Sequence, residues 1–280
     1  MKTGIIRGAL TLACLAVLGL QAADDRPLTV KGSDTMVIMG QRWAETYMKA
    51  HPEAKIQVTG GGSGTGIAAL LNGTTEICNA SRPMKDSERK AFQSKNSAEV
   101  VETPVAMDGV TIYVHESNAV PSLSLAQLKD IYTGKIRDWK LVGGAPGAII
   151  LYGRENNSGT YEFFKEHVLG GKDFADETQT MPGTASVINA VTKDAMGIGY
   201  GGAAYAKGVR KVPVQKDANS PPVEASKQTV QNRTYPINRF LYCYSSPNLR
   251  EAGKVYLAWM LSPAGQKVVE DVGYFPLPNK

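Results

Sequence analysis

Cysteine and histidine are scarce: the 280-residue chain has three of each. Setting aside Cys14, which lies in an apolar N-terminal run, leaves only Cys78 and Cys243. Two cysteines are too few for a disulfide scaffold or a cysteine-based metal site. Both stand in strand-like runs, so a bridge would require those strands to be neighbours; the alternative is a pair of buried small apolar side chains. His51, His115 and His167 are far apart in sequence and form no HExxH or HxxxH pattern. A GxSxG nucleophile elbow is missing too, because Thr65 stands where the last glycine would be. Gly134-Lys135 and Gly171-Lys172 lack the flanking residues of a phosphate-binding P-loop. Charged residues make up only 20%, with a net charge of +5 that is not clustered. This excludes a nucleic-acid surface. No tandem repeat or low-complexity tract is present, and no cofactor or metal is expected.

The N-terminus carries Lys2 and Arg7, then an apolar stretch over residues 9–20, then Gln21-Ala22-Ala23. The stretch is too short to span a bilayer comfortably, and small residues follow it at a cleavage position. Residues 1–23 are predicted to be a secretory signal peptide, which places the mature protein in the periplasm. Thr11 ahead of Cys14 argues against a lipoprotein site. Without the signal, 29 basic residues face 26 acidic ones, a mild +3 that suits an anionic ligand.

What the chain does have is a run of small residues, Thr59-Gly60-Gly61-Gly62-Ser63-Gly64-Thr65-Gly66. A strand pattern at 55–59 precedes it and a helix pattern at 67–71 follows. Glycines and hydroxyls at a strand-to-helix turn let the backbone wrap a ligand, and the N–H groups of a helix start favour an anion. The same arrangement occurs twice more. A strand at 28–31 runs through Gly32-Ser33-Asp34-Thr35 into a helix whose core stripe is Met36, Gly40, Trp43, Tyr47 and Ala50. Capping of that helix is the plainer role for Ser33, Asp34 or Thr35. A strand at 148–152 runs through Gly153-Arg154-Glu155-Asn156-Asn157-Ser158-Gly159-Thr160 into a helix at 161–168. A further strand at 76–80 ends at Ser81-Arg82-Pro83, with Arg82 at its tip.

Further strands are expected at 109–114, 196–200, 209–214 and 237–244. Further helices are expected at 86–95, 124–132, 185–192, 249–260 and 263–271, with 218–231 irregular. Alternating strands and helices predict an α/β fold with a largely parallel sheet. In such sheets the loops at the carboxyl ends of the strands bind ligands. Hydroxyls, backbone N–H groups and guanidinium forks together suit a tetrahedral oxyanion. Two dinucleotide fingerprints also occur. Gly64-Thr65-Gly66-Ile67-Ala68-Ala69 lacks an acidic residue at the right distance, and Gly197, Gly199 and Gly202 lie within a strand.

In their order, Lys31-Gly32-Ser33-Asp34-Thr35-Met36, the glycine run at 60–66, Asn79-Ala80-Ser81-Arg82-Pro83 and Arg154-Glu155-Asn156-Asn157-Ser158-Gly159-Thr160 resemble the PstS-type phosphate-binding proteins of ABC transporters. The resemblance extends over essentially the whole mature chain. It implies a two-lobed periplasmic-binding-protein fold of type II, each lobe a mixed, mostly parallel sheet flanked by helices. Lobe one would be residues 24–106 plus 239–280 and lobe two residues 107–238, with crossovers near Met107-Asp108-Gly109 and Tyr235-Pro236. It also implies inorganic phosphate bound between the lobes, an ABC permease and cytoplasmic ATPase as partners, and a monomer. Carried over to this chain, the ligand set is Ser33, Asp34, Thr35, Ser63 and Arg82 from lobe one, with Arg154, Ser158, Gly159 and Thr160 from lobe two. Some members of the family have an aspartate where this chain has Arg82, as acceptor for the phosphate proton; Asp34 is the substitute available here. Other readings are a receptor for sulfate, molybdate or phosphonate, a secreted hydrolase using Ser63 or Ser158, and a surface adhesion role.

Overall fold

Strand β1 (Leu28–Gly32) alternates buried and half-buried residues, which lays one face on the core. The computed structural model describes residues 26–278; the predicted signal peptide and Cys14 lie outside them. After a short 3-10 turn, α1 (Val37–Ala50) buries Met39, Gly40, Trp43, Ala44 and Tyr47. The Trp43 indole N–H donates to the Gly265 carbonyl at 2.7 Å, tying this helix to the C-terminal one. Ala50, expected on the stripe, is exposed.

β2 (Ile56–Thr59) leads into α2 (Ser63–Leu71), and β3 (Ile77–Ala80) into α3 (Asp86–Asn96). α2 starts four residues before the expected 67, so Ser63, Gly64, Thr65 and Gly66 form its first turn rather than a loop. The reason is close packing: a Cβ on Gly66 would lie 2.5 Å from the Gly32 Cα and 2.6 Å from the Lys31 carbonyl. Helix and strand β1 can approach only through glycine.

β4 (Val101–Val114) is one strand of 14 residues, running straight through Pro104. A proline is tolerated there because the pairing shifts register at that place, between Leu241 and Tyr242 of the facing strand. The second half of the chain adds β5 (Leu123–Ser124), α4 (Leu125–Tyr132), β6 (Ile150–Arg154), α5 (Gly159–His167), β7 (Gln179–Met181), α6 (Gly183–Val191) and β8 (Gly197–Gly202). Then come β9 (Arg210–Val212) and β10 (Val214–Gln215), which are separate because Pro213 cannot donate between them. α7 (Lys227–Gln231) lies inside the stretch expected to be irregular, held by a Ser226 cap. β11 (Asn238–Ser245), α8 (Glu251–Leu261) and α9 (Pro263–Val272) complete the order.

The main sheet runs β2-β1-β3-β11-β4-β8-β6-β7, with β9 also on β4. β1, β2 and β3 are mutually parallel, as are β6, β7 and β8, while β11 and β4 run antiparallel between the two groups. β4 pairs with β11 up to Gly109 and with β8 from Val110 onward. The two halves of the sheet therefore meet within this one strand. On one side lies a core of Trp43, Tyr256, Met260 and Val269; on the other lies a core of Tyr132, Trp139, Phe164 and Tyr200. The Phe164 and Tyr200 rings stack with centroids 4.1 Å apart. Each such buried side chain stabilises the fold by about 1.5–3 kcal/mol.

Cys78 and Cys243 lie on neighbouring strands, yet both are buried free thiols. Cys78 is level with Tyr244 and Cys243 with Asn79, and the alternation of side chains sends the two thiols to opposite faces of the sheet. Cys243 instead donates to the Asn79 side-chain oxygen at 3.2 Å. The glycines at 197, 199 and 202 lie within β8, and a Cβ on Gly199 would meet Val187 at 2.5 Å. That fingerprint is a packing device.

Candidate functional site

The carboxyl ends of β1, β3 and β6 feed turns that converge from the two halves of the sheet. Ser33, Asp34 and Thr35 follow β1, and Ser81 and Arg82 follow β3. Ser63 starts α2, and the turn after β6 carries Ser158, Gly159 and Thr160 into α5. The contacts between the halves are short. Arg154 Nη2 donates to Asp34 Oδ2 at 2.8 Å, and the hydroxyls of Thr35 and Thr160 lie 2.8 Å apart. The Gly64 amide donates to the Asn157 carbonyl at 3.0 Å, and Asn157 Nδ2 donates to the Gly61 carbonyl at 3.1 Å. Near the rim, Lys85 and Glu162 form an ion pair at 2.8 Å.

The Asp34 side chain does not cap α1. Its Oδ1 accepts from the Gly61 amide at 2.8 Å, while Oδ2 faces Arg154. Its carbonyl accepts from the Tyr205 hydroxyl at 2.7 Å, and the Tyr274 hydroxyl holds the Thr35 carbonyl at 2.6 Å. The turn is thus fixed from the second half of the chain and from its C-terminal end. Arg154 is 2% exposed. Burial pulls its guanidinium below the ordinary arginine value, and the Asp34 carboxylate works against that shift. Arg154 Nη1 donates to Thr184 Oγ1 at 2.8 Å, while its Nε is buried without a partner.

Ser63 Oγ accepts from the Ser81 amide at 3.0 Å and lies 3.4 Å from Ser81 Oγ. Ser158 Oγ caps α5, accepting from the amides of Thr160 and Tyr161. Neither serine is hydrogen-bonded to a basic side chain among the described residues. Gly159 is the point of closest approach: a Cβ there would lie 2.3 Å from Ser63 Oγ and 2.7 Å from Ser81 Oγ. Ser33 is buried and its amide donates to the Asn79 carbonyl at 2.8 Å.

Arg82 differs from the rest of the expected set. Its guanidinium is engaged by Glu88 in a two-pronged pair at 2.8 Å each, and by the Pro83 carbonyl at 2.9 Å. Its Nε is buried and without a partner. Burial alone would lower its basicity, but the Glu88 bond outweighs this and raises it. The sequence reading missed Arg239. This residue of β11 is buried and lies level with Asp108 of β4. It donates to Asp108 Oδ2 through Nε at 3.0 Å and Nη2 at 2.8 Å, and to Thr160 Oγ1 at 3.0 Å. Thr184 was missed as well, although its glycine-and-hydroxyl helix start repeats the pattern of the other turns. The short strand β7 ahead of it gave no signal.

Comparison with known proteins agrees with this architecture. The family model for the PBP superfamily domain matches residues 20–264. A phosphate-binding protein PstS of Pseudomonas aeruginosa is 37% identical over 270 residues, covering 90% of this chain and 84% of the relative. The PstS of Staphylococcus epidermidis is 35% identical over 260 residues, covering 89% and 78%. Among solved structures, an ABC-transporter substrate-binding protein of Clostridium perfringens with bound phosphate superposes with a TM-score of 0.83 at 30% identity, over 90% of this chain and 100% of the other. An ABC-type phosphate transport receptor of Vibrio cholerae gives a TM-score of 0.71 at 27% identity, over 89% and 99%.

Proposed function

The chain belongs to the PstS-type phosphate-binding proteins of the PBP superfamily, and on that basis we propose that it captures inorganic phosphate between the two halves of its fold and delivers it to an ABC importer. No bond is made or broken; it is a receptor, not an enzyme. The observation that carries the site assignment is the buried Arg154, with Nε unpartnered, bonded to Asp34 of one half and to the Thr184 hydroxyl of the other. Ser33, Thr35, Ser63, Ser158 and Thr160 offer hydroxyls, Gly159 offers close backbone approach, and Arg82 offers its unpartnered Nε. An unpaired buried donor costs about 1–3 kcal/mol, which a bound oxyanion relieves.

The two lobes are residues 24–106 plus 239–280 and residues 107–238, and they hinge where β4 exchanges β11 for β8. Asp34 is the acceptor for the proton of monohydrogen phosphate. Sulfate has no such proton at neutral pH, so a carboxylate at that place repels it. Residues 1–23 direct export to the periplasm, where the protein works as a monomer facing the permease; no described helix is long and apolar enough to cross a membrane. Titration calorimetry on residues 24–280 tests the reading. One phosphate per chain and much weaker sulfate binding are expected; binding of neither anion overturns it.

A further inference from the structure

We propose that Arg239, held by Asp108 at the crossing of β4 and β11, is a positioning residue that makes the Thr35–Thr160 hydroxyl pair a hydrogen-bond donor to the bound anion. The inference rests on the functional reading above. Arg239 lies beside the strand position where the sheet changes partner: Asn238 is level with Gly109, and the next residue of β4, Val110, is level with Gly202 of β8. Asp108 is 0% exposed; its Oδ1 accepts from the Ala203 amide at 3.1 Å, just beyond β8, and its Oδ2 takes two bonds from Arg239. Arg239 Nη1 donates to the Ser81 carbonyl at 2.9 Å, and its guanidinium lies 5.2 Å from the centre of the Phe163 ring. One planar cation therefore touches the tip of β3, the β4 crossing and the first turn of α5.

The direction of the hydrogen bonds follows from what each group can do. A guanidinium only donates, so Thr160 Oγ1 accepts from Arg239 Nη2. Thr160 and Thr35 then share one bond at 2.8 Å, which uses one of their two hydroxyl protons. The other proton must leave the pair. Thr35 is 1% exposed and Thr160 0%, so bulk water is not its acceptor. An oxyanion between the halves is. Arg239 fills one of the two acceptor places on Thr160 Oγ1; with Thr35 donating into the second, Thr160 can no longer receive a proton from the ligand and keeps its own proton to donate. The Arg239 charge is balanced by Asp108, and its contribution is direction rather than net charge.

A double-mutant cycle tests this, reading phosphate affinity by calorimetry and the melting temperature of the ligand-free protein. The four proteins are the unaltered chain, the paired variant D108N/R239M, Thr160→Val, and the three changes together. The paired variant removes both charges at once and so leaves no uncompensated ion. Each altered protein is expected to bind phosphate about tenfold more weakly or worse, about 1.4 kcal/mol. The triple variant should be no more than about twofold weaker than Thr160→Val, because both changes act through one hydroxyl. Additive losses overturn the proposal, as does full affinity in the paired variant. Arg239→Lys keeps a cation opposite Asp108 without the planar fork and serves the same cycle if the paired variant does not fold. An unaltered chain that binds no phosphate overturns the functional reading itself, which separates the two failures.

Discussion

Replacing Gly159 by alanine isolates closure of the two halves from folding of either one. Gly159 is the first residue of α5 and its backbone angles suit any residue, since it is not among the positive-φ glycines. Alanine is a better helix former than glycine by about 0.5–1 kcal/mol, so the ligand-free protein should melt no lower than the parent. The added methyl, however, lies 2.3 Å from Ser63 Oγ and 2.9 Å from Ser63 Cβ, whereas ordinary contact begins at 3.4 Å. Ser63 cannot swing aside cheaply, because it is fully buried and its Oγ accepts from the Ser81 amide. The halves must then part by about 1 Å, the shortfall from ordinary contact. The bonds Arg154–Asp34 at 2.8 Å, Thr35–Thr160 at 2.8 Å and Gly64–Asn157 at 3.0 Å all cross that gap and would stretch past useful length. Their combined loss is about 3 kcal/mol, or about a hundredfold in affinity. Calorimetry gives the affinity, and small-angle scattering with and without phosphate reports whether the molecule still contracts. Binding within about twofold of the parent would refute the reasoning, since about 3 kcal/mol is far outside that error.

Three further outcomes are expected. Asp34→Asn removes the charged acceptor facing Arg154, so phosphate affinity should fall at least about tenfold while the sulfate-to-phosphate affinity ratio rises; competition calorimetry that finds the ratio unchanged removes Asp34 from selectivity. Burial alone would raise the Glu88 pKa, but the Arg82 bond and the Lys85 amide hold it below the ordinary value. The stability it contributes is therefore complete above about pH 4.3, the unfolded value, and is lost as pH falls through the lower folded value. Glu88→Gln should flatten that part of the melting-temperature profile, and an unchanged acid slope would contradict the assignment. Burial pushes the Cys243 thiol up to about 12, and burial with Cys243 nearby pushes Cys78 higher still. A thiol reagent at pH 8 should label neither in the native protein of residues 24–280 and both after unfolding; fewer than two labels in denaturant would reveal a bridge.

The local part of the fold was legible because its causes are local. The α1 stripe, the Ser124 start of α4 and the strand–turn–helix units each depend on residues a few positions apart. The misses depend on partners far along the chain. The strand was expected only from 109, and only the shifted register against β11 lets Pro104 stay inside β4. The glycine run looked like a loop, and only the proximity of β1 explains why it is the first turn of a helix. Nearer in sequence, Arg82 stands at its strand tip as expected, but its pairing with Glu88, six positions on, was not read. Arg239 showed no sequence signal because its partner Asp108 is 131 positions away.

Those arginines change what the mild basic excess of the sequence means. Arg154 faces Asp34, Arg82 faces Glu88 and Arg239 faces Asp108. Each buried guanidinium meets a carboxylate, so the candidate site is close to neutral and offers oriented donors rather than a positive potential. Attraction by net charge would be screened by salt over about 10 Å at 0.1 M. Donors inside a closed cleft act by contact, where screening is weak. Phosphate affinity measured by calorimetry should therefore change by less than about threefold between 0.05 and 0.5 M sodium chloride, the expectation for recognition by directed hydrogen bonds. A loss of about tenfold or more across that range would mean that unpaired positive charge holds the anion, and would point back to the exposed lysines instead of these three pairs.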